Sequence, residues 1–206
     1  RSSPPNFGNP SSIHSFGRSA KRALDDSREQ LASVLGLEDP EAILFTGSAT
    51  EAINTALKGF FYQARKSGKD VRFLSTEVEH EATLGALEFL KAEGAAVELL
   101  QVSERGELNL AAFEASVTRR SANEAVLVSM LAANNETGVV FPWERAAEIA
   151  VSKCALFHLD GVQALGKVPG FRLTEQVSLA SFSAHKIGGA KGVGALVVRK
   201  GTKLES

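Results

Sequence analysis

Short apolar segments alternate with segments of helical periodicity along almost the whole chain. The apolar segments are nearly continuous and rich in β-branched and aromatic residues, a pattern typical of strands that are buried on both faces of a sheet. We predict strands over residues 42–46, 71–75, 96–102, 125–130, 155–159, 179–183 and 195–198.

Between these strands, apolar residues recur at the three- and four-residue spacing of amphipathic helices. The spacing predicts helices over residues 17–35, 50–66, 80–93, 108–117 and 143–151. Strands that alternate with helices favour an α/β fold, with a mostly parallel seven-stranded sheet and helices on both faces. In such a sheet, ligands bind at the carboxyl ends of the strands.

Composition restricts the possible functions further. The 206 residues carry a net charge of −1, which gives no reason to expect a nucleic acid or an anionic membrane as partner. No apolar run reaches the ~18 residues that a membrane span needs, and residues 1–12 lack the apolar core of a signal peptide. The single cysteine, Cys154, excludes an intrachain disulfide and suits the reducing cytoplasm, where we expect the protein to be.

Polar residues with possible functions follow three of the predicted strands. The range 48–50, Ser-Ala-Thr, opens a helix and is either an anion site formed by free N–H groups or a simple helix cap. His80 follows the second strand and is either a functional residue or an ordinary surface residue. Asp160 closes the fifth strand, with Gln163 three residues later, and it either pairs with a buried cation or caps the next turn.

The strongest signal follows the sixth strand. Ser183, His185 and Lys186 leave this strand together and lead into glycines at 188, 189, 192 and 194, which allow close approach of backbone to a ligand. Burial or a nearby cation can lower the pKa of such a lysine, so that the amine attacks an aldehyde. This combination favours a covalent cofactor site over a surface lysine in a glycine-rich turn.

Other common site types are not supported. The chain has neither the glycine pattern of a P-loop nor that of a dinucleotide site. Its four histidines, His14, His80, His158 and His185, lack metal-ligand spacing, and one cysteine cannot anchor a zinc cluster. We therefore expect no metal.

Together these motifs resemble the cysteine desulfurases of the class V aminotransferase group, which are enzymes of fold type I that use pyridoxal 5′-phosphate (PLP). The similar segments occur in the family's order and cover essentially the whole chain. They are N-P-S-S-x-H-x-x-G-R at 9–18, F-T-G-S-A-T-E at 45–51, E-H at 79–80, N-N-E-T-G at 134–138, H-x-D-x-x-Q at 158–163 and S-x-H-K at 183–186.

The resemblance implies a role for each site residue. Lys186 would hold PLP as a Schiff base and move protons at the substrate Cα, and His80 would stack on the pyridine ring and act in acid–base steps. Asp160 would bond the pyridinium nitrogen, and Gln163 the phenolic oxygen of the ring. The phosphate would be held by Ala49, Thr50, Ser183 and His185, and Asn135 would lie near the ring oxygen and the substrate carboxylate.

The resemblance also implies a reaction and partners. The family's homodimers convert L-cysteine to L-alanine and leave a persulfide on an enzyme cysteine, whose sulfur goes to iron–sulfur cluster assembly or tRNA thiolation. The implied partners are L-cysteine, a second copy of the chain and a sulfur-acceptor or scaffold protein, without direct contact with nucleic acid or a membrane.

The same resemblance suggests that the chain is the PLP-binding large domain, with a segment of the small domain at about residues 1–16 and the C-terminal small domain absent. The family's persulfide cysteine and substrate-binding arginine lie in that C-terminal part. We therefore expect the 206 residues to be inactive alone and Cys154 to be a buried structural cysteine.

Two alternatives remain open at this point. One is another class V enzyme, either a selenocysteine lyase or an aminotransferase of small substrates, against which the segment 9–18 favours a desulfurase. The other is a non-catalytic scaffold for sulfur transfer. The presence of Lys186, Asp160 and His80 argues against the scaffold, which would not need them.

Overall fold

The computed structural model describes residues 8–205, which form five α-helices and seven strands. The helices are α1 (Ser15–Leu35), α2 (Ala49–Lys66), α3 (Glu81–Ala92), α4 (Leu110–Thr118) and α5 (Trp143–Ser152). The strands are β1 (Ile43–Thr46), β2 (Asp70–Thr76), β3 (Ala96–Leu100), β4 (Glu124–Leu131), β5 (Leu156–Asp160), β6 (Leu179–Ser183) and β7 (Gly194–Val198). Each predicted element is found, and its bounds differ from the prediction by a few residues at most.

The strands form one sheet in the order β1-β7-β6-β5-β4-β2-β3. The pairs β2–β3, β2–β4, β4–β5 and β5–β6 are parallel, which confirms the predicted mostly parallel sheet. Strand β7 runs antiparallel to β6. The connection between them, residues 184–193, is too short for the crossover of a dozen or more residues that a parallel pairing requires.

The central strands are buried on both faces. Phe73 and Leu74 of β2, and Leu127 and Val128 of β4, are fully buried although consecutive side chains point to opposite faces of a sheet. Helices α2 and α3 pack against the face that carries Phe73 and Leu127. Burial on both sides explains why β4 appears in the sequence as a nearly continuous apolar run.

The chain divides into two compact units, Arg1–Ile43 and Leu44–Ser206. The described part of the first unit contains α1, which begins after the N-cap His14 and ends at Gly36 in the left-handed conformation. The assignment of residues 1–16 to a small domain stays a prediction, and its first seven residues lie outside the described part of the chain. None of the helices in residues 8–205 is both long and apolar enough to cross a membrane.

The expectation that Cys154 is buried is wrong. Cys154 is exposed and follows the last residues of α5 with a φ of 57°. A residue in the left-handed conformation directly after a helix is a common way to end it, and here the turn places the side chain outside. The apolar strand begins only with the next residue, Ala155, which is buried.

Candidate active site

Every predicted site residue lines one cleft with a volume of about 190 Å³. Its lining includes residues at the ends of β4, β5 and β6, which is where a parallel sheet binds its ligands. The predicted residues in the lining are Ala49, Thr50, His80, Asn135, Asp160, Gln163, Ser183, His185 and Lys186. All of them belong to the unit Leu44–Ser206. The structure thus brings them together, and their individual roles stay predictions.

The N-terminus of α2 forms one wall of the cleft. Ser48 Oγ accepts a hydrogen bond of 3.1 Å from the N–H of Glu51, and Glu51 Oε2 accepts one of 2.7 Å from the N–H of Gly47. These two reciprocal hydrogen bonds provide an acceptor for the backbone N–H of Glu51. Ala49 and Thr50 also belong to the first turn of the helix, and the N–H groups of that turn have no acceptor within the helix. Free N–H groups and the helix dipole favour an anion at this wall.

Gly194 allows β7 to begin directly beside this helix terminus. A Cβ atom on Gly194 would lie 2.6 Å from the carbonyl oxygen of Ser48 and 2.7 Å from Oγ1 of Thr46, closer than real atoms approach. Gly194 is also the register partner of Ser183 on β6. The missing side chain therefore brings the end of β6 next to the anion-binding wall.

The segment after β6 carries Lys186 to the edge of the cleft. Ser183 is buried, and its Oγ lies 2.8 Å from Nδ1 of His185. A 3₁₀ turn over Ala184–Ile187 follows and ends at Gly188 with a φ of 82°. Lys186 is exposed. The segment leaves the sheet here, which places its side chains at the surface.

Asp160 forms an acidic wall of the cleft. The residue is buried, and its Oδ1 accepts a hydrogen bond of 3.0 Å from the N–H of Val162. Burial raises the pKa of Asp160, while the hydrogen bond from Val162 and the charge of His80 oppose this rise. A buried carboxylate in this state is stabilised by a cation, so the cleft favours a cationic group next to Asp160.

His80, Gln163 and Asn135 complete the predicted set. His80 is the N-cap of α3, and its Nδ1 accepts a hydrogen bond of 3.1 Å from the N–H of Ala82, so a neutral ring carries its proton on Nε2. Gln163 Oε1 accepts a hydrogen bond from Lys167 Nζ, which leaves the amide N–H groups of Gln163 as donors.

Asn134, the residue before Asn135, is a structural residue that the sequence reasoning overlooked. Its Oδ1 accepts hydrogen bonds of 2.9 Å from the N–H groups of Glu136 and Thr137, and its Nδ2 donates one of 3.1 Å to the carbonyl of Val78. Asparagine commonly shapes turns through such local bonds. Asn134 therefore positions the loop that brings Asn135 to the cleft.

Glu79 is a buried carboxyl group beside the predicted site. Its exposed fraction is 6%, and its Oε1 accepts a hydrogen bond of 2.7 Å from Oγ1 of Thr76. Burial raises the pKa of Glu79 to about 8; the hydrogen bond from Thr76 opposes this rise, and the negative charge of Asp160 adds to it. The signal in the sequence was an acidic residue, next to His80, so close to the end of a buried strand.

His158 was part of a recognised motif, but the sequence analysis gave it no role. It lies two residues before Asp160 on β5, so both side chains are on the same face of the strand. The ring is fully buried, and burial lowers the pKa of His158 to about 3. A histidine inside an apolar strand was the available signal, because such a ring must find buried hydrogen-bond partners.

Comparison with known proteins agrees with this geometry. Residues 5–205 match the family model described as aminotransferase class-V. A cysteine desulfurase from Nostoc sp. is 40% identical over 199 residues, which are 96% of this chain and 48% of that protein. The chain spans about half the length of the curated relatives it matches.

Solved structures give the same result. A NifS-like protein superposes with a TM-score of 0.87 at 38% identity, over 97% of this chain and 53% of that one. A structure described as SspA in complex with cysteine superposes with a TM-score of 0.86 at 30% identity, over 97% of this chain and 56% of that one. By the extent of the family match and the fold, the chain belongs to the aminotransferase class-V family.

Proposed function

We propose that the protein binds PLP in the cleft and that the complete protein is a cysteine desulfurase. One observation carries the proposal: the N-terminus of α2, Asp160 and Lys186 line the same cleft. A helix N-terminus suits a phosphate, a buried carboxylate suits a protonated ring nitrogen, and a primary amine suits an aldehyde. PLP carries all three of these groups, so the residues present fit it.

Different residues of the chain would hold different groups of the cofactor. Ala49 and Thr50 would bind the phosphate with backbone N–H groups, and the pair Ser183–His185 would contribute side-chain donors. Asp160 would keep the ring nitrogen protonated, which is the condition for the electron-sink chemistry that bound PLP supplies.

Three further residues position the ring and the substrate. His80 would stack on the ring, with Nε2–H as its free donor, and Gln163 would donate its amide N–H to the phenolic oxygen. Asn135 would lie near the ring oxygen and the substrate carboxylate. Lys186 would hold the aldehyde group through Nζ and would move protons at the substrate Cα.

The proposed substrate is L-cysteine. Desulfuration breaks its Cβ–S bond and forms an S–S bond with an acceptor thiol, so that cysteine and the thiol become alanine and a persulfide. The names of the curated relatives support this reaction, as does the related SspA structure that was solved with cysteine.

Cys154 does not supply the acceptor thiol. It precedes β5 and Asp160 ends it, and six residues of extended chain at roughly 3.3 Å each separate the two positions by about 20 Å. We propose that the acceptor thiol belongs to a part of the complete protein outside these 206 residues. We also propose a cytoplasmic homodimer that passes sulfur to an acceptor or scaffold protein, for iron–sulfur cluster assembly or tRNA thiolation.

The test compares Lys186→Ala with Lys191→Ala in the complete protein. Lys191 is exposed in the same glycine-rich segment and is absent from the cleft lining. We expect the absorbance band of covalently held PLP in the wild type and in Lys191→Ala, and its loss in Lys186→Ala. An unchanged spectrum in Lys186→Ala would overturn the assignment of the cofactor lysine.

Turnover tests the second half of the proposal. The complete protein should form alanine from L-cysteine in the presence of a thiol reductant, and the 206-residue chain alone should release no sulfide. Sulfide release by the 206-residue chain would contradict the proposed location of the acceptor thiol.

A further inference from the structure

We propose that Glu79 is a positioning residue that keeps its proton, so that Glu79 and Asp160, here called the carboxyl pair, together carry one negative charge. The consequence for PLP rests on the proposed function, because Asp160 is the group that would face the ring nitrogen. The protonation of Glu79 itself does not depend on that function and can be tested separately.

The surroundings of Glu79 suit a neutral acid. Its Oε1 accepts a hydrogen bond from Thr76 Oγ1, and among the described residues its Oε2 has no partner, although it is buried. A buried carboxylate needs donors for both oxygens, and leaving one oxygen bare is costly. A protonated carboxyl group carries no formal charge, so burying one of its oxygens without a hydrogen-bond partner costs less free energy.

Glu79 also lies where it can organise the site. It lies three residues after the end of β2, and the backbone of Leu131, at the end of β4, is near enough to lower the pKa of its carboxyl group in part. Leu131 is in turn the register partner of Asp160 on β5. The Glu79 carboxyl therefore lies near the ends of β2 and β4, beside the residue that would bind the ring nitrogen.

The charges near Glu79 favour the protonated form. A second cleft next to the site is lined by Glu79 together with Glu77, Glu81 and Glu136. Within the described lining of this cleft, His80 is the one side chain able to carry a positive charge. These three carboxylates are exposed and screened by water, so the charge that disfavours ionisation of Glu79 is that of the buried Asp160.

Asp160, the other member of the carboxyl pair, ends β5, and its negative charge disfavours the ionisation of Glu79. Both acids accept hydrogen bonds, Glu79 from Thr76 and Asp160 from the Val162 N–H, but the charge of His80 favours the negative charge of Asp160. When two neighbouring buried carboxyl groups share one negative charge, one of them stays protonated while the other is ionised. The proton therefore stays on Glu79, and Asp160 remains the anion.

The first experiment detects the proton directly. We would record infrared spectra of the complete protein and of Glu79→Gln at about pH 6.5 and about pH 9.5, on either side of the pKa of about 8. Glu77→Gln, two residues away and exposed, serves as the matched control for the substitution. We expect the carbonyl band of a carboxylic acid in wild type minus Glu79→Gln at the lower pH and its loss at the higher pH.

Absence of this band at the lower pH would overturn the proposal. If Glu79→Gln does not fold, the same band is sought in the difference between the two pH values of the wild type alone. The measurement needs no bound cofactor, so its outcome stands even if PLP does not bind and the proposed function fails.

The second experiment tests the positioning role through the cofactor. Glu79→Gln imitates the neutral acid, so its PLP affinity at about pH 6.5 should stay within about twofold of the wild type, whereas Glu79→Ala should lose at least about tenfold. Above about pH 8 the wild-type spectrum of bound PLP should change with the ionisation of Glu79, and this component should be missing in Glu79→Gln. Identical pH profiles in the two proteins would refute the coupling to Asp160.

Discussion

Ser129 on β4 and His158 on β5 are joined inside the sheet by a contact of 2.9 Å between the serine Oγ and the histidine Nδ1. On its other side the ring contacts Ser181 Oγ of β6, at 2.9 Å from Nε2. One imidazole therefore connects three neighbouring strands. It lies on the same face of β5 as Asp160, so the connection supports the strand end that carries the site.

His158→Gln should change how stability depends on pH. Burial lowers the pKa of His158 to about 3 from 6.5, so below pH 6.5 the unfolded chain takes up a proton that the folded chain refuses. The stabilising contribution is complete above pH 6.5 and is lost as the pH falls towards 3, by up to about 1.4 kcal/mol per pH unit. Urea unfolding at several pH values measures it.

The variant should be less stable than the wild type at neutral pH, because two buried hydrogen bonds are lost, and its stability should fall less steeply on acidification. The opposing contribution of Glu79 is present in both proteins and cancels in the comparison. Parallel curves for the two proteins would show that His158 does not produce the acid sensitivity.

Asp160→Asn should weaken PLP binding by the complete apo-protein at least about tenfold. The amide removes the buried negative charge that stabilises a protonated ring nitrogen, and losing one partner of such a pair costs about 2 kcal/mol or more. Equilibrium titration followed by absorbance measures the affinity. Asp70→Asn, at the exposed start of β2, is the matched control and should bind like the wild type; equal affinities of all three proteins would contradict the role of Asp160.

Gly194→Ala should lower both stability and PLP affinity. The new Cβ would lie 2.6 Å from the carbonyl oxygen of Ser48, which is backbone and cannot move without displacing the start of α2. We expect a loss of about 2 kcal/mol or more in the free energy of unfolding.

Gly85→Ala is the control for this substitution. Gly85 lies in α3 with nothing within 4 Å of an added Cβ. Alanine there should stabilise the protein by about 0.5–1 kcal/mol through helix propensity alone. If Gly194→Ala were as stable as Gly85→Ala and bound PLP normally, the close packing of β7 on α2 would not matter.

Cys154→Ser should leave alanine formation by the complete protein within about twofold of the wild type. The exposed thiol lies at the end of β5 opposite to Asp160 and is absent from the cleft lining. Coupled detection of alanine and sulfide measures the activity. A large loss in this variant would assign a sulfur-carrying role to Cys154 after all.

Much of the fold was predictable because burial on both faces leaves a clear pattern. Strand β4 is a nearly continuous apolar run, and α2 repeats its apolar residues at helical spacing. The direction of β7 was also within reach, since residues 184–193 are too few for a parallel crossover. The short connection between β6 and β7 therefore predicts that the two strands are antiparallel.

The sequence predicted which residues line the site, but it predicted only in part which side chains are buried. All the predicted residues line one cleft because the ends of parallel strands meet at one edge of the sheet. Whether a side chain is buried depends on the three-dimensional course of each turn, which explains the error at Cys154. The burial of Glu79 was likewise not apparent from the sequence.

The pairing of Ser183 with Gly194 means that the segment bearing Lys186 leaves the sheet and returns to it at the same point. It is a loop closed at its base by the β6–β7 ladder, and the closure entropy of a loop changes only slowly with its length. Insertions or deletions between residues 187 and 193 should therefore preserve the sheet while shifting the lysine. The reach of Lys186 can thus vary during evolution, or be redesigned, with little change in folding.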